Sequence, residues 1–151
     1  MTSAGALERI WAAFAAASAD RPALAIGWAT VELDRAVADL AIELGTVPAA
    51  FLPAADSVVL GARCRVAYGV LPGSRPLAVL EPNTEGRLAA LLARIGEGPA
   101  ATWTRGAAPG QAGSRETARP GPFGPERLLP GAPAYGPFEL LIVGETGTID
   151  E

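Results

Sequence analysis

Twice within the first hundred residues the hydrophobic period switches from that of a strand to that of a helix. This repeated step constrains the fold more than any other feature of the chain. The first step runs from "ALAIGWATV", residues 23–31, a short apolar and β-compatible segment, into "LDRAVADLAIELG". There Val37, Leu40, Ala41 and Leu44 share a helical face, and Gly45 stands where a left-handed cap ends a helix. The second runs from "LAVLE" into "NTEGRLAALLARIGEG". Asn83 or Thr84 is placed to cap this helix and Glu85 to complement its positive end. Leu88, Leu91, Leu92 and Ile95 form its apolar face, and Gly96 ends it. Between the two units "RCRVAYGV" alternates, "LPGSRP" turns the chain and "LAVLE" returns, which predicts a hairpin. Residues 46–62 carry a weak pattern, with Pro48 and Pro53 pointing to an irregular or edge segment.

After the second helix the composition changes. A strand-like "AATWT" precedes "RGAAPGQAGSRETARPGPFGP", residues 105–125, which lacks apolar periodicity and reads as a long mobile loop, either a disordered insertion or an ordered lid. The final "ERLLPGAPAYGPFELLIVG" holds two short apolar runs, both strand-compatible. At the other end, Leu7, Ile10, Trp11 and Phe14 follow helical spacing. The Ala-Ser-Ala before Asp20 imitates a signal-peptide cleavage site, but Glu8 and Arg9 interrupt any hydrophobic signal core, so an amphipathic helix over residues 1–20 is expected. No stretch approaches the roughly 20 apolar residues of a membrane-spanning helix.

A chain of 151 residues, half of them hydrophobic, suits one domain with one core. The net charge of −4 gives no broad basic surface, which argues against nucleic acid and leaves small molecules or proteins as partners. One cysteine, Cys64, cannot form an intramolecular disulfide, and a cytoplasmic location is expected. The chain has no histidine, and all 12 of its basic residues are arginine. These absences remove Ser-His-Asp and Cys-His catalysis, the HExxH zinc site and Schiff-base chemistry. Neither a P-loop nor a strand-anchored GxGxxG is present. Acid-base work would fall to Asp, Glu, Tyr or Cys, and Cys64 without an imidazole partner reads as a small core residue.

The residues also carry a family resemblance. "AIGWATVELDRAVADL" resembles the opening of vicinal oxygen chelate domains, the glyoxalase and bleomycin-resistance superfamily. "LAVLEPNTEGRLAALLARIGEGPAATW" is similar to the middle of its methylmalonyl-CoA epimerase branch. The resemblance implies an α+β fold in which βαβββ modules form a curved half-barrel sheet. One domain, 1–151, would comprise the N-terminal helix (1–20), a first module (21–98) and a degenerate second module (99–151) whose helix is replaced by the 105–125 loop. It further implies a divalent metal held by two histidines, a Gln or Glu and a C-terminal Glu. Carried over by motif, those positions fall on Ala25, Ala78, Ala101 (or Ala100) and Glu139, and the catalytic glutamate falls near Gly61. A lone carboxylate does not hold a catalytic divalent ion, so the expectation is a protein without metal or other cofactor.

Strand alternation then extends the candidate site. Ala25 brings Gly27 and Ala29 to its face, Ala78 brings Leu80, Ala101 brings Trp103, and Glu139 brings Leu141 and Val143. The ligand-binding expectation is thus Ala25, Gly27, Ala29, Ala78, Leu80, Ala101, Trp103 and Leu141, an apolar pocket with one indole and one carboxylate. Glu139 is the expected proton donor or base, and Tyr68 the expected hydrogen-bond donor to a bound carbonyl. Two arrangements stay open, because a one-residue slip reverses every facing: larger neighbours fill the pocket and Glu139 lies on the outer face. Arg63 and Arg65 alternate opposite Cys64 and Val66 and read as a solvated face. The expected activity is metal-independent proton transfer on a hydrophobic carbonyl compound, as an isomerase, cyclase or lyase, in specialised metabolism. The alternatives are sequestration of a drug or metabolite and a dimerising scaffold. A homodimer is the expected assembly.

Overall fold

A computed structural model describes residues 5, 8–10, 12, 23–105, 118–129 and 137–143. Strand β1 (Ala25–Ala29) leads into helix α1 (Leu33–Leu44), as the first periodicity switch requires. Helix α1 buries Leu33, Ala36, Val37, Leu40 and Ala41. It stops at Gly45, whose φ of 74° lets its N–H donate to the Ile42 carbonyl at 3.2 Å. The weakly patterned stretch contains an edge strand, β2 (Leu52–Ser57), the place in a sheet where a proline such as Pro53 is tolerated. The hairpin follows as β3 (Ala62–Leu71) and β4 (Arg75–Pro82). Helix α2 (Arg87–Arg94) begins later than the expected cap at Asn83 or Thr84. The reason is tertiary: the Leu88 N–H donates to the Leu60 carbonyl at 3.0 Å, while the Asn83 amide is drawn to Asp56, also at 3.0 Å. Three further strands complete the chain: β5 (Gly98–Arg105), β6 (Glu126–Leu128) and β7 (Phe138–Ile142).

The seven strands form one sheet in the order β2-β3-β4-β1-β5-β7-β6. In the first module β1 runs parallel to β4, which is antiparallel to β3. In the second, β5 runs parallel to β7, which is antiparallel to β6. The modules therefore share one pattern, joined where β1 and β5 pair antiparallel. The sheet is a curled half-barrel, and its two edge strands come together. Ser57, at the end of β2, donates its hydroxyl to Glu126 of β6 at 2.7 Å, and the Val58 N–H donates to Pro120 at 3.1 Å.

Two cores result. Outside the curl, α1 packs Leu33, Val37 and Leu40 against Ile26, Trp28, Leu77 and Val79. Ile10 joins this core at 0% exposure, and the described residues 5, 8–10 and 12 are helical. Leu7, Trp11 and Phe14 lie outside the described residues. Inside the curl, the inner faces of all strands pack with Leu88 and Leu91 of α2. Residues 106–117 of the stretch read as a loop lie outside the described residues, but its end, 118–125, packs on the barrel. There Arg119 bridges Glu126, and Phe123 meets Trp103 edge-to-face at 5.1 Å between centroids. No described helix is long and apolar enough to cross a membrane.

Candidate functional site

The inner face brings together most of the residues that alternation had grouped. Ala25 and Ala29 of β1, Ala78 and Leu80 of β4, and Ala101 and Trp103 of β5 share one buried cluster, which also contains Ala100. Gly27 sits among them: a Cβ there would stand 2.8 Å from Trp103 Cζ3 and 2.9 Å from Leu80 Cδ1. That contact decides what the small residues do. They do not leave a roomy pocket; they make space for an indole that is itself 0% exposed. The filled arrangement is the one observed.

The expected carboxylate is a different residue. In β7 it is Phe138, Leu140 and Ile142 that enter the inner cluster, so Glu139 and Leu141 point to the opposite face. Glu139 pairs in register with Thr102, not Trp103, and is half-buried. The proposed base therefore does not reach the concavity, and Leu141, though buried, lies off it. Tyr68 is 61% exposed, at the rim of the barrel.

Inside the concavity the described carboxyl is Glu126, at 0% exposure. Its Oε1 accepts from the Trp103 indole N–H at 2.8 Å, and its Oε2 accepts from the Ser57 hydroxyl at 2.7 Å. The Ser57 oxygen in turn accepts the Leu60 N–H at 3.2 Å. Gly121 packs directly on the carboxyl, where any side chain would collide with it. Burial raises the Glu126 pKa above the ordinary carboxylate value, and the bonds from Ser57 and Trp103 pull against that rise. One sequence signal pointed to this residue: a buried indole needs a partner for its N–H. A glutamate amid Gly and Pro gave no periodicity by which to place it. Nearby, burial pushes the Cys64 thiol up to about 12, so it is an inert core group.

Other charged residues tie the elements together. Glu97 accepts from the Val31 N–H at 3.0 Å, the Thr30 hydroxyl at 2.9 Å and Arg35 at 3.0 Å, tying the start of β5 to the entry of α1. Burial pushes its pKa up, but these partners outweigh it and the net shift is downward. Arg63 pairs with Glu81 at 2.6 Å and Arg65 with Asp34 at 2.9 Å on the outer face.

The donor set inside the curl does not fit a divalent metal. Ala25, Ala78 and Ala101 stand at positions carried over from the resembling family, and both oxygens of Glu126 already accept hydrogen bonds from neutral donors. Among the described residues no group of three or more His, Cys, Asp or Glu side chains could hold a metal ion.

One cavity of about 550 Å³ opens at the mouth of the inner face. Ala25, Ile142 and Phe123 line its apolar part, and Tyr68, Arg75 and Arg105 its polar part. Phe123 lines this cleft and packs edge-to-face on Trp103, whose indole N–H is bonded to Glu126.

Solved structures share this architecture. Methylmalonyl-CoA epimerase from Mycobacterium tuberculosis superposes with a TM-score of 0.58 at 20% identity, covering 78% of this chain and 84% of that one. A Streptomyces coelicolor methylmalonyl-CoA epimerase variant in complex with 2-nitronate-propionyl-CoA gives 0.57 at 19% identity, covering 78% and 92%. A hypothetical protein from Bacillus halodurans C-125 gives 0.61 at 15% identity, covering 86% and 99%. No protein-family model matches the sequence, and no curated protein does. The chain thus has the vicinal oxygen chelate fold that its sequence resembles.

Proposed function

We propose that this chain is a metal-independent small-molecule-binding protein on the vicinal oxygen chelate fold, with its ligand in the cleft at the barrel mouth. The observation that carries this reading is the division of the inner space. The centre is sealed by Trp103, Leu80 and the Gly27 backbone, whereas the 550 Å³ cleft is open and of the size that holds drug-like ligands. Tyr68 at its rim is available to a ligand carbonyl, as the sequence suggested, and Phe123, Ala25 and Ile142 receive an apolar body. The epimerase structures in complex with acyl-CoA ligands make acyl compounds a sensible first panel.

A second reading keeps the proton-transfer activity and moves it to Glu126. It is favoured by the burial of that carboxyl, its raised pKa and its fixed hydrogen bonds, which suit a proton donor. It requires Phe123 and Trp103 to yield to the substrate. One experiment separates the two: titration calorimetry with a panel of acyl and carbonyl compounds, followed by NMR of each bound compound in D₂O. The binding reading expects saturable heat with the α-proton signal unchanged. Loss of that signal in wild type but not in Glu126→Gln establishes the second reading, and no binding by any compound overturns both.

A further inference from the structure

The cleft differs in charge from the rest of the molecule. The chain carries a net charge of −4, yet among the described residues the two charged ones that line the cavity are arginines, Arg75 and Arg105. Arg75 is half-buried, and its Nη1 donates to the Ala23 carbonyl at 3.0 Å, which fixes the guanidinium at the rim. The turn beside it is tailored to that side chain. Gly73 takes a φ of 72°, and a Cβ there would stand 3.3 Å from Arg75 Nε. Arg105 ends β5 and reaches the same cavity from across β1. Tyr68 lines the same cavity, whose apolar part is formed by Phe123, Ala25 and Ile142. Two guanidinium groups from different strands above an apolar floor form a site of mixed character. Guanidinium geometry matches the oxygens of carboxylate and phosphate, and the low polarity of the floor strengthens such contacts.

We infer that the cleft selects an anionic amphiphile, an oxyanion held by Arg75 and Arg105 with an apolar tail against Phe123, Ala25 and Ile142. This rests on the proposal that the cleft is the ligand site, and adds to it the chemical class of the ligand. A neutral molecule of the same shape would forgo the charge-assisted bonds and bind more weakly.

The test is calorimetric titration of the full chain with octanoate, octyl phosphate and octanol. Octanoate or octyl phosphate is expected to bind at least about ten-fold more tightly than octanol, the step that one charge-assisted hydrogen bond supplies. The better of the two identifies the oxyanion. Arg105→Gln, a change at an exposed position, should remove most of that preference. Added salt should weaken the anions alone. If octanol binds as tightly as both anions, the inference fails while the cleft remains a ligand site. If none of the three binds, the inference and the reading beneath it both fall. If the anions bind tightly but Arg105→Gln keeps the full preference, the proposed pairing is wrong.

Discussion

Replacing Trp103 by alanine is expected to destabilise the chain by about 3–5 kcal/mol, the range for removing a buried aromatic side chain. The indole is 0% exposed and fills the space left by Gly27, Ala25 and Ala101, so its loss opens a cavity at the barrel centre. A second cost adds to the first: Glu126 Oε1 loses the donor now 2.8 Å away, and leaving a buried acceptor unsatisfied costs about 1–3 kcal/mol. Trp103→Phe separates the two contributions, since it keeps most of the packing and removes only the N–H. Urea unfolding followed by circular dichroism should rank stability as wild type, then Trp103→Phe, then Trp103→Ala. Equal stability of wild type and Trp103→Ala would show that the inner face is not a packed core.

The second large effect is one of pH. Because burial raises the folded-state pKa of Glu126, the folded protein keeps that proton at pH values where the unfolded chain has released it. The stabilisation is then complete below the unfolded carboxylate pKa and is lost as pH rises through the folded value. The loss is at most about 1.4 kcal/mol per pH unit for one proton. Glu97 has the opposite sign: its lowered pKa gives stability that is present above the unfolded value and lost as pH falls through the folded one. No histidine is present to titrate between them. In Glu126→Gln the amide oxygen still accepts from Trp103 and the amide nitrogen donates to the Ser57 oxygen. Its unfolding free energy should therefore fall less steeply than that of wild type as pH rises above the unfolded carboxylate value. Parallel curves for the two proteins would mean that the carboxyl is not held in its acid form.

Much of this arrangement was legible in the sequence, for reasons that differ along the chain. Strand β3 and both helices carry the periodicity of a half-covered surface, whereas β1 is buried on both faces and its facing was fixed by the motif match. The family resemblance placed Ala25, Ala78 and Ala101, and alternation from them put Gly27, Ala29, Leu80 and Trp103 on the same inner face, where the structure has them. Strand β7 carries no such signal. "FELLI" is apolar at almost every position because Phe138, Leu140, Leu141 and Ile142 are all buried, and a continuous run does not reveal its facing. That is why Glu139 and Leu141 were assigned to the wrong side. Glu126 was illegible for another reason. Its role depends on Ser57, 69 residues away, on an edge strand whose closure against β6 is a property of the curled sheet. The same closure explains Phe123, whose burial depends on Trp103 and not on any pattern in its Gly- and Pro-rich surroundings.

The positions to which the family resemblance assigns metal ligands, Ala25, Ala78 and Ala101, are packed core, and the proposed ligand site is the cleft outside them. Calorimetric titration of metal-stripped protein with Mn²⁺ and Co²⁺, with the unfolding midpoint followed in the same samples, tests this most directly. The account predicts no saturable heat and no change of midpoint with either ion. Uptake of one ion per chain with a raised midpoint, both lost in Glu126→Gln, would contradict it, because an ion held in the folded state through that carboxyl produces both effects.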